Sequence, residues 1–218
     1  MKTIEQDGVA IELVKKRVKR LTLHVTPERV WMSVPQRLPY EEAVRFAQRQ
    51  RDWIASQRGR LAAYSPQTLC DGARIRVWGE DVRLALTAEG QTDRAGDVLT
   101  LCVPPHAPQD EVRRALDDWY RTQLAAVLPA VRARWEQVVG VRAADCRIRD
   151  MKTRWGTCSL RLRRVWISLR LSQYPPACLD YVMVHELTHL LVPDHSAAFW
   201  SQVESAYPDW RTVRAMLR

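Results

Sequence analysis

Histidine is scarce in this sequence, cysteine shows no pairing pattern, and long apolar runs are missing. The five cysteines are scattered, and no two of them form a Cys-x-x-Cys pair. An odd and dispersed set of this kind indicates reduced thiols rather than a disulfide framework. The first residues lack the apolar core of a secretory signal, and no stretch approaches the roughly 18 apolar residues of a membrane span. We therefore expect a cytoplasmic protein with no membrane partner.

The composition is that of an ordinary globular protein with an excess of positive charge. Apolar residues make up 46% and charged residues 27% of the chain, so a packed core is expected and disorder is not. The formal net charge is +9, which favours anionic ligands such as phosphorylated molecules or nucleic acid. Nucleic acid is supported by charge alone, because the sequence contains no helix-turn-helix, RNP-type or zinc-finger pattern.

The order of strand-like and helix-like segments predicts an α+β protein. A hairpin over residues 18–35, a single long helix from Pro39 to about residue 63, and further strands over residues 73–103 give a strand-rich first half. Residues 104–108 hold three of the twelve prolines, which is typical of a linker. We therefore predict that residues 1–105 form an N-terminal β-rich module that contains one long helix, and that residues 106–218 form a second domain.

The second half of the chain combines helices with short strands. A helical pattern runs over residues 109–139 and is interrupted by Pro129, and short strands are expected between residues 146 and 169. Pro175 and Pro176 mark the start of another helix, because proline is favoured in a first helical turn. This helix carries the most informative motif of the chain.

Three of the five histidines fall within one run of eleven residues, HELTHLLVPDH, at positions 185–195. His185 and His189 are four residues apart, so on a helix their imidazoles lie on one face and can converge on one metal ion. Glu186 projects about a quarter of a turn away, where its carboxylate can reach a water molecule at the metal without being a ligand. The pattern is the His-Glu-x-x-His motif of metal-dependent hydrolases.

A third histidine strengthens the prediction of a metal site. His195 follows Pro193, which is expected to end or bend the helix, and a chain that turns there can return the His195 ring to the same ion. The spacing from His189 to His195 equals that of the metzincin pattern. Val192 and Pro193 stand around the position of the metzincin glycine, so the turn must be built differently here.

This ligand set favours zinc. Three neutral imidazoles and a water molecule form an open tetrahedral shell of the catalytic kind, whereas a structural site would have recruited cysteines. We predict one Zn²⁺ per chain, with other divalent metals as alternatives, and Glu186 as the general base. Asp194 is open to two interpretations, a hydrogen-bond partner of a ligand imidazole or a solvated turn residue.

Three segments of the second half resemble the YgjP-like metal-dependent hydrolases. They are residues 151–159 (MKTRWGTCS), residues 179–189 (LDYVMVHELTH) and residues 194–200 (DHSAAFW). The resemblance is specific over about residues 146–218 and less diagnostic in the N-terminal half. It extends more remotely to the WLM and SprT-like metallopeptidases.

The resemblance implies a minimal zincin-like metallopeptidase domain in the second half of the chain. In that family pattern His185, His189 and His195 are the zinc ligands, and Glu186 is the catalytic carboxylate. Thr157 stands where the family usually has serine, and neither this departure nor Thr188 in place of alanine touches an implied ligand.

A basic segment precedes the motif. Between residues 142 and 170 there are nine Lys or Arg against two Asp. In a strand, alternation would place basic side chains on one face, so Arg154 or Lys152 either faces the site and binds an anionic group or lies on a solvated face. Tyr207 is another candidate for binding the oxyanion.

Three functions fit these observations. We favour a zinc metallopeptidase that acts on peptides. The first alternative is a metal-dependent nucleoside triphosphate pyrophosphatase, an activity attributed to members of the family and favoured by the basic segment, although nucleotide hydrolysis usually uses Mg²⁺ on carboxylates. The second alternative is a nucleic-acid-associated protein with a local protease activity. The physiological substrate, the oligomeric state and the role of the N-terminal half stay open.

Overall fold

The structure, a computed structural model, describes the backbone of residues 2–26, 29–63 and 68–217, and the side chains of these residues other than 59–63. Contacts between Cα atoms divide the chain into two compact units, residues 1–67 and residues 68–218. The predicted boundary between residues 105 and 106 is a different division, and it stays a prediction. The mixture of helices and strands confirms the α+β class.

The first unit contains a four-stranded sheet and two helices. Strands β1 (Lys2–Gln6), β2 (Val9–Lys16), β3 (Thr22–Val25) and β4 (Val30–Pro35) lie in the order β1-β2-β4-β3, and β3 and β4 form the predicted antiparallel hairpin. Strand β2 pairs in parallel with β4. The buried apolar positions alternate along the two central strands, as expected for a sheet with a covered apolar face. They are Ile11, Leu13, Val30, Met32 and Val34.

The single helix predicted from Pro39 is wrong, because the structure contains two helices there. Helix α1 (Tyr40–Arg49) ends at Gln50, and helix α2 (Arg51–Ala63) begins directly after it. The backbone N–H of Gln50 is shared between the carbonyls of Phe46 and Ala47, which is typical of a helix terminus. The apolar period continues across this turn, so periodicity alone did not reveal it.

The second unit begins with another four-stranded sheet that packs on a long helix. Strands β5 (Arg74–Val77), β6 (Glu80–Thr87), β7 (Asp93–Ala95) and β8 (Val98–Cys102) lie in the order β5-β6-β8-β7. Their buried side chains form one cluster with the first half of helix α3 (Gln109–Val139). The long helix predicted over residues 109–139 is confirmed as α3. The interruption expected at Pro129 is wrong, since α3 continues through it and ends at Gly140, whose φ of 74° lies in the left-handed region.

The remaining elements surround one nearly enveloped helix. Strands β9 (Asp145–Arg149), β10 (Gly156–Ser159) and β11 (Arg164–Ser168) form a sheet in the order β10-β11-β9, so β10 is an edge strand. After a short 3-10 helix come α4 (Pro176–Thr188), α5 (Ala197–Ala206) and α6 (Trp210–Met216). Helix α4 contacts α3, α5, α6 and the three-stranded sheet. This enclosure explains why its apolar residues cover most of its circumference.

Two hydrogen-bonded tryptophans fix the elements on either side of the motif. The indole N–H of Trp135 in α3 donates to Asp180 in the first turns of α4 over 2.8 Å, and Arg134 pairs with the same carboxylate. The indole N–H of Trp155, just before β10, donates to the Leu217 carbonyl after α6 over 3.0 Å. The His-Glu-x-x-His helix is therefore held between α3 on one side and the junction of β10 with α6 on the other.

No helix within residues 2–26, 29–63 and 68–217 combines the length and the apolar character that crossing a membrane requires.

Candidate metal centre

The three histidines of the motif come together where α4 ends and the chain turns back. His185 lies in the last turn of α4, and His189 is the residue that follows its final position. The amide N–H groups of Leu191 and Val192 both donate to the Thr188 carbonyl, over 2.9 Å each, which closes the helix before Pro193. The turn expected from the proline therefore exists, and it is built without the metzincin glycine.

The imidazoles face one another closely enough to share one ion. The Nε2 atoms of His185 and His195 are 3.0 Å apart, and one ligand atom from each of the three rings lies within 4.8 Å of the others. Two nitrogens on one tetrahedral zinc ion are about 3.3 Å apart, since each Zn–N bond is about 2.0–2.1 Å. In His189, Nδ1 lies 3.3 Å from the Val192 carbonyl, an arrangement that places the proton on Nδ1 and leaves Nε2 as the electron-pair donor.

The protonation state of His185 suits metal binding. Burial, together with the neighbouring His189 and His195, lowers the pKa of its imidazole to about 3, and the positive charge of Arg214 acts in the same direction. The ring is therefore neutral near neutral pH. Its buried Nδ1 has no hydrogen-bond partner among the described residues. Imidazole nitrogens that face one another around the neutral His185 ring fit a divalent ion better than they fit mutual hydrogen bonds.

One buried phenylalanine supports all three rings. The ring centroid of Phe199, on α5, lies 4.9 Å from that of His185, 4.6 Å from that of His189 and 4.8 Å from that of His195. Phe199 has no exposed surface. Trp200 stacks on His195 with a centroid separation of 5.7 Å. Helix α5 therefore fixes the orientations of the imidazoles by packing, which is the way a rigid ligand set is normally maintained.

Glu186 lies beside this cluster in a nearly closed environment. Its residue surface is only 5% exposed. Burial raises the pKa of its carboxyl to about 8, while the charge of Arg154 lowers it. A cation held by the imidazoles would act in the same direction as Arg154.

Gly156 makes the close approach of Glu186 possible. A Cβ atom at Gly156 would lie 2.6 Å from both Cγ and Oε1 of Glu186. The edge strand β10 therefore runs directly against the glutamate side chain. Only a residue without a side chain fits there.

A cavity of about 320 Å³ opens next to His185 and Glu186. Its lining joins the edge strand, the motif helix and the C-terminal helix. The lining residues are Arg154, Trp155, Gly156, Tyr181, Val182, His185, Glu186, Arg214 and Leu217. Arg154 is therefore the basic residue of the 142–170 segment that the structure places at the site.

Two other predicted residues, Lys152 and Tyr207, lie elsewhere. Lys152 does not line the cavity, and its carbonyl accepts a hydrogen bond from Arg170 over 3.0 Å. Tyr207 packs edge-on against Trp135, with a centroid separation of 5.4 Å, because the end of α5 faces α3. A substrate-binding role for Lys152 or Tyr207 stays a prediction, and neither residue contacts the cavity.

Asp194 takes part in the turn that precedes α5. Its Oδ1 accepts a hydrogen bond from the backbone N–H of Ser196 over 3.2 Å, and hydrogen bonds from Ser196 lower the pKa of its carboxyl. The imidazole of His189 uses the Val192 carbonyl instead. Of the two interpretations of Asp194, this geometry favours the turn residue.

Tyr181 and Arg214 line the cavity although sequence reasoning gave them no role. Tyr181 is four residues before His185, so helical spacing alone places it on the same face of α4. Its ring centroid lies 5.9 Å from that of His185. Arg214 has no comparable signal, since it reaches the site only through the packing of α6 against α4.

Comparison with known proteins relates the chain to metallopeptidases. A solved structure, the metallopeptidase zymogen of Pyrococcus abyssi abylysin, matches with a TM-score of 0.38 and 20% identity, covering 41% of this chain and 90% of the other. A search of curated proteins found no match. The model of the YgjP-like family, described as a metallopeptidase domain, matches residues 19–218. The chain therefore belongs to the YgjP-like family of metal-dependent hydrolases.

Proposed function

We propose that this protein is a zinc-dependent peptidase in which His185, His189 and His195 hold the ion and Glu186 is the general base. The observation that carries the proposal is the convergence of three imidazoles beside a buried carboxylate that lines the same cavity. Family membership supports a metal-dependent hydrolase, and the peptide specificity, the metal and the roles of the residues are parts of the proposal.

The donor set supports zinc as the ion. Among the described residues, no carboxylate belongs to the group formed by the three imidazoles. Imidazole nitrogen suits zinc, whereas magnesium prefers oxygen ligands in an octahedral arrangement. When bound, the ion would polarise the scissile carbonyl and acidify an attacking water molecule.

Glu186 has the properties of a general base in this site. Its pKa of about 8 lies close to neutrality, where one group can both accept and release a proton efficiently. Glu186 would take a proton from the attacking water and transfer it to the departing amine. The contact with Gly156 restricts the position of the carboxylate before the reaction, so little conformational entropy is lost when the transition state forms.

Arg154 is the best-placed group for the developing oxyanion. It lines the cavity with Glu186, and its charge acts on the Glu186 carboxyl. A guanidinium aimed at the carbonyl oxygen would stabilise negative charge as it forms. We assign this role to Arg154 in preference to Tyr207, because Tyr207 does not reach the cavity.

The edge strand β10 provides a place for an extended substrate. Its pairing partner is β11, and its other edge is unpaired within the described residues. A peptide that adds to this edge would be aligned by backbone hydrogen bonds, and Gly156 would bring it past Glu186. This mode of binding requires a polypeptide, so it favours peptide over nucleotide hydrolysis.

A parallel test of peptides and nucleotides decides the substrate class. A peptide library and a nucleoside triphosphate panel are incubated with protein loaded with Zn²⁺, Mn²⁺ or Mg²⁺. We expect peptide cleavage with zinc, loss of that cleavage in Glu186→Gln, and unchanged zinc content. The control is Glu89→Gln, an exposed glutamate beyond β6. Full activity of Glu186→Gln, or hydrolysis of triphosphates alone, would contradict the proposal.

A further inference from the structure

Two cationic side chains line the cavity at the imidazole cluster, and neither is neutralised. Arg154 and Arg214 form no ion pair with any carboxylate among the described residues. Glu186 is the single acidic residue in the lining, and it is buried. The cavity therefore presents positive charge to whatever enters it.

Two stacked tryptophans hold Arg214 in place, and its guanidinium forms no hydrogen bond with the residues that the structure describes. The Cζ atom of its guanidinium lies 4.9 Å from the ring centroid of Trp200 and 5.7 Å from that of Trp210. The two indoles stack on each other with a centroid separation of 4.5 Å. Cation–π contact orients a guanidinium without using its N–H donors, so these donors stay available to a ligand.

A neighbouring arginine, Arg211, stacks on the same tryptophan but is paired with a carboxylate. Arg211 lies three residues earlier on α6 and also stacks on Trp210, with its Cζ 4.5 Å from the ring centroid. Its guanidinium, however, pairs with Glu204, and Arg211 does not line the cavity. Two arginines with the same aromatic neighbour therefore differ in that one is neutralised within the chain and the other faces the site.

We propose that Arg214 selects peptide substrates that carry an aspartate or glutamate side chain next to the cleaved bond. This proposal rests on the proposed peptidase function and names its substrate class. A carboxylate can accept two parallel hydrogen bonds from one guanidinium, the most specific ion-pair geometry that proteins use. The methylene groups of the bound side chain would contact Val182 and Leu217, which belong to the apolar part of the lining.

Arg154 and Arg214 then have separable roles. Arg154 acts on the carbonyl oxygen of every substrate, so its removal lowers turnover for all peptides alike. Arg214 contacts a side chain, so its removal lowers kcat/KM only for acidic peptides. The ratio of kcat/KM between a glutamate peptide and its glutamine counterpart isolates recognition of the side-chain charge, and the change of that ratio in Arg214→Gln isolates the part that Arg214 contributes.

The test uses zinc-loaded protein and C-terminally amidated peptides in which one Glu, Gln or Lys is moved along an alanine-rich decamer. We expect the wild type to prefer the glutamate peptide at one position by about tenfold to a hundredfold, the range of one charge-assisted hydrogen-bonded contact. Arg214→Gln should abolish the preference, Arg214→Lys should retain part of it, and Arg214→Glu should shift it towards lysine. Arg211→Gln should leave it unchanged.

Two results would overturn the role of Arg214. One is a wild type that cleaves both peptides equally, and the other is an acidic preference that survives in Arg214→Gln. The carboxylate that Arg214 binds can come from an acidic side chain or from the C terminus of the peptide. Glutamine peptides with a free C terminus distinguish these two sources. A preference that follows the free C terminus rather than the side chain would overturn the assignment to aspartate and glutamate.

A binding measurement separates this proposal from the peptidase proposal. Zinc-loaded Glu186→Gln is titrated with the fluorescently labelled Glu and Gln peptides, and their dissociation constants are compared with those of the double variant Glu186→Gln/Arg214→Gln. Tighter binding of the Glu peptide that is lost in the double variant supports Arg214 even if no peptide is cleaved. Equal binding of both peptides overturns the role of Arg214 even if the wild type proves to be a peptidase.

Discussion

Replacing Gly156 with alanine would place a methyl group where the Glu186 side chain now lies. Gly156 lies within strand β10, and its φ is outside the left-handed region, so alanine can adopt the same backbone. The consequence of the substitution is therefore steric rather than conformational. The new Cβ would be 2.6 Å from Cγ and Oε1 of Glu186 and 2.9 Å from Cδ.

The size of the displacement follows from these distances. Ordinary van der Waals contact begins at 3.4 Å, so the glutamate atoms at 2.6 Å must move away by about 0.8 Å. Overpacking of this kind lowers the free energy of unfolding by about 1–3 kcal/mol. A misplacement of about 1 Å in a reacting group lowers turnover by about a hundredfold. The three atoms nearest to the new Cβ all belong to Glu186 and none to an imidazole, so zinc binding should persist.

The assay compares kcat/KM on a cleaved peptide, zinc content and unfolding free energy for the two proteins. We expect Gly156→Ala to lose about a hundredfold in kcat/KM while it binds one zinc per chain. Thr157→Ala serves as the control, because successive residues of a strand point to opposite faces and Thr157 lies away from Glu186. Gly156→Ala with wild-type kcat/KM would refute the argument that β10 fixes the position of the glutamate.

Three further predictions concern the packing around the site and the thiols. Phe199→Ala should lower the free energy of unfolding by about 3–5 kcal/mol and weaken zinc binding in a chelator competition. An unchanged zinc affinity would show that packing on the Phe199 ring does not orient the imidazoles. Glu136→Gln should lower the free energy of unfolding by about 1–3 kcal/mol in a denaturant titration, because the Glu136 carboxylate accepts hydrogen bonds from Arg132 over 2.7 Å and from the Ala143 N–H over 2.8 Å. A change below about 0.5 kcal/mol would contradict this. Burial raises the pKa of Cys146 from 9.0 to about 12, so at pH 8 its thiolate fraction is about a thousandfold below that of an ordinary thiol. Mass spectrometry after brief alkylation should therefore find the exposed Cys70 and Cys102 modified and Cys146 intact.

The histidine cluster could be predicted because its determinants are local. Helical spacing places His185 and His189 on one face, and Pro193 stops the helix so that His195 can return. The structure brings the three rings together as expected. Tyr181 follows from the same spacing rule, since it precedes His185 by one turn, and its position at the cavity was within reach of the sequence.

Other parts of the site depend on contacts between distant segments. Phe199 occurs in a recognisable segment, and it is one of two phenylalanines in the chain, but nothing local shows that it packs behind all three imidazoles. Arg214 lies on an exposed face of a short helix and resembles any solvated arginine until α6 is packed against α4. Alternation of charge places Lys152 and Arg154 on the same face of an extended segment, so it could not decide between them. The structure decides because the cavity begins where β10 starts, next to Arg154.

The helix boundaries show a similar limit of local reasoning. Proline at position 129 satisfied the rule for a helix breaker, yet α3 tolerates it because packing of its apolar face outweighs one lost backbone hydrogen bond. Gln50 has no breaking character, yet α1 ends there. At Pro129 tertiary packing overrode a local signal, and at Gln50 no local signal marked the end of the helix.

X-ray absorption at the zinc edge of protein loaded with one equivalent of Zn²⁺ tests the central claim most directly. The proposed site predicts a first shell of nitrogen and oxygen only, at about 2.0–2.1 Å, with multiple scattering from three imidazoles. A sulfur scatterer at about 2.3 Å, or a shell with fewer than three imidazoles, would contradict the assignment of His185, His189 and His195 as the metal ligands.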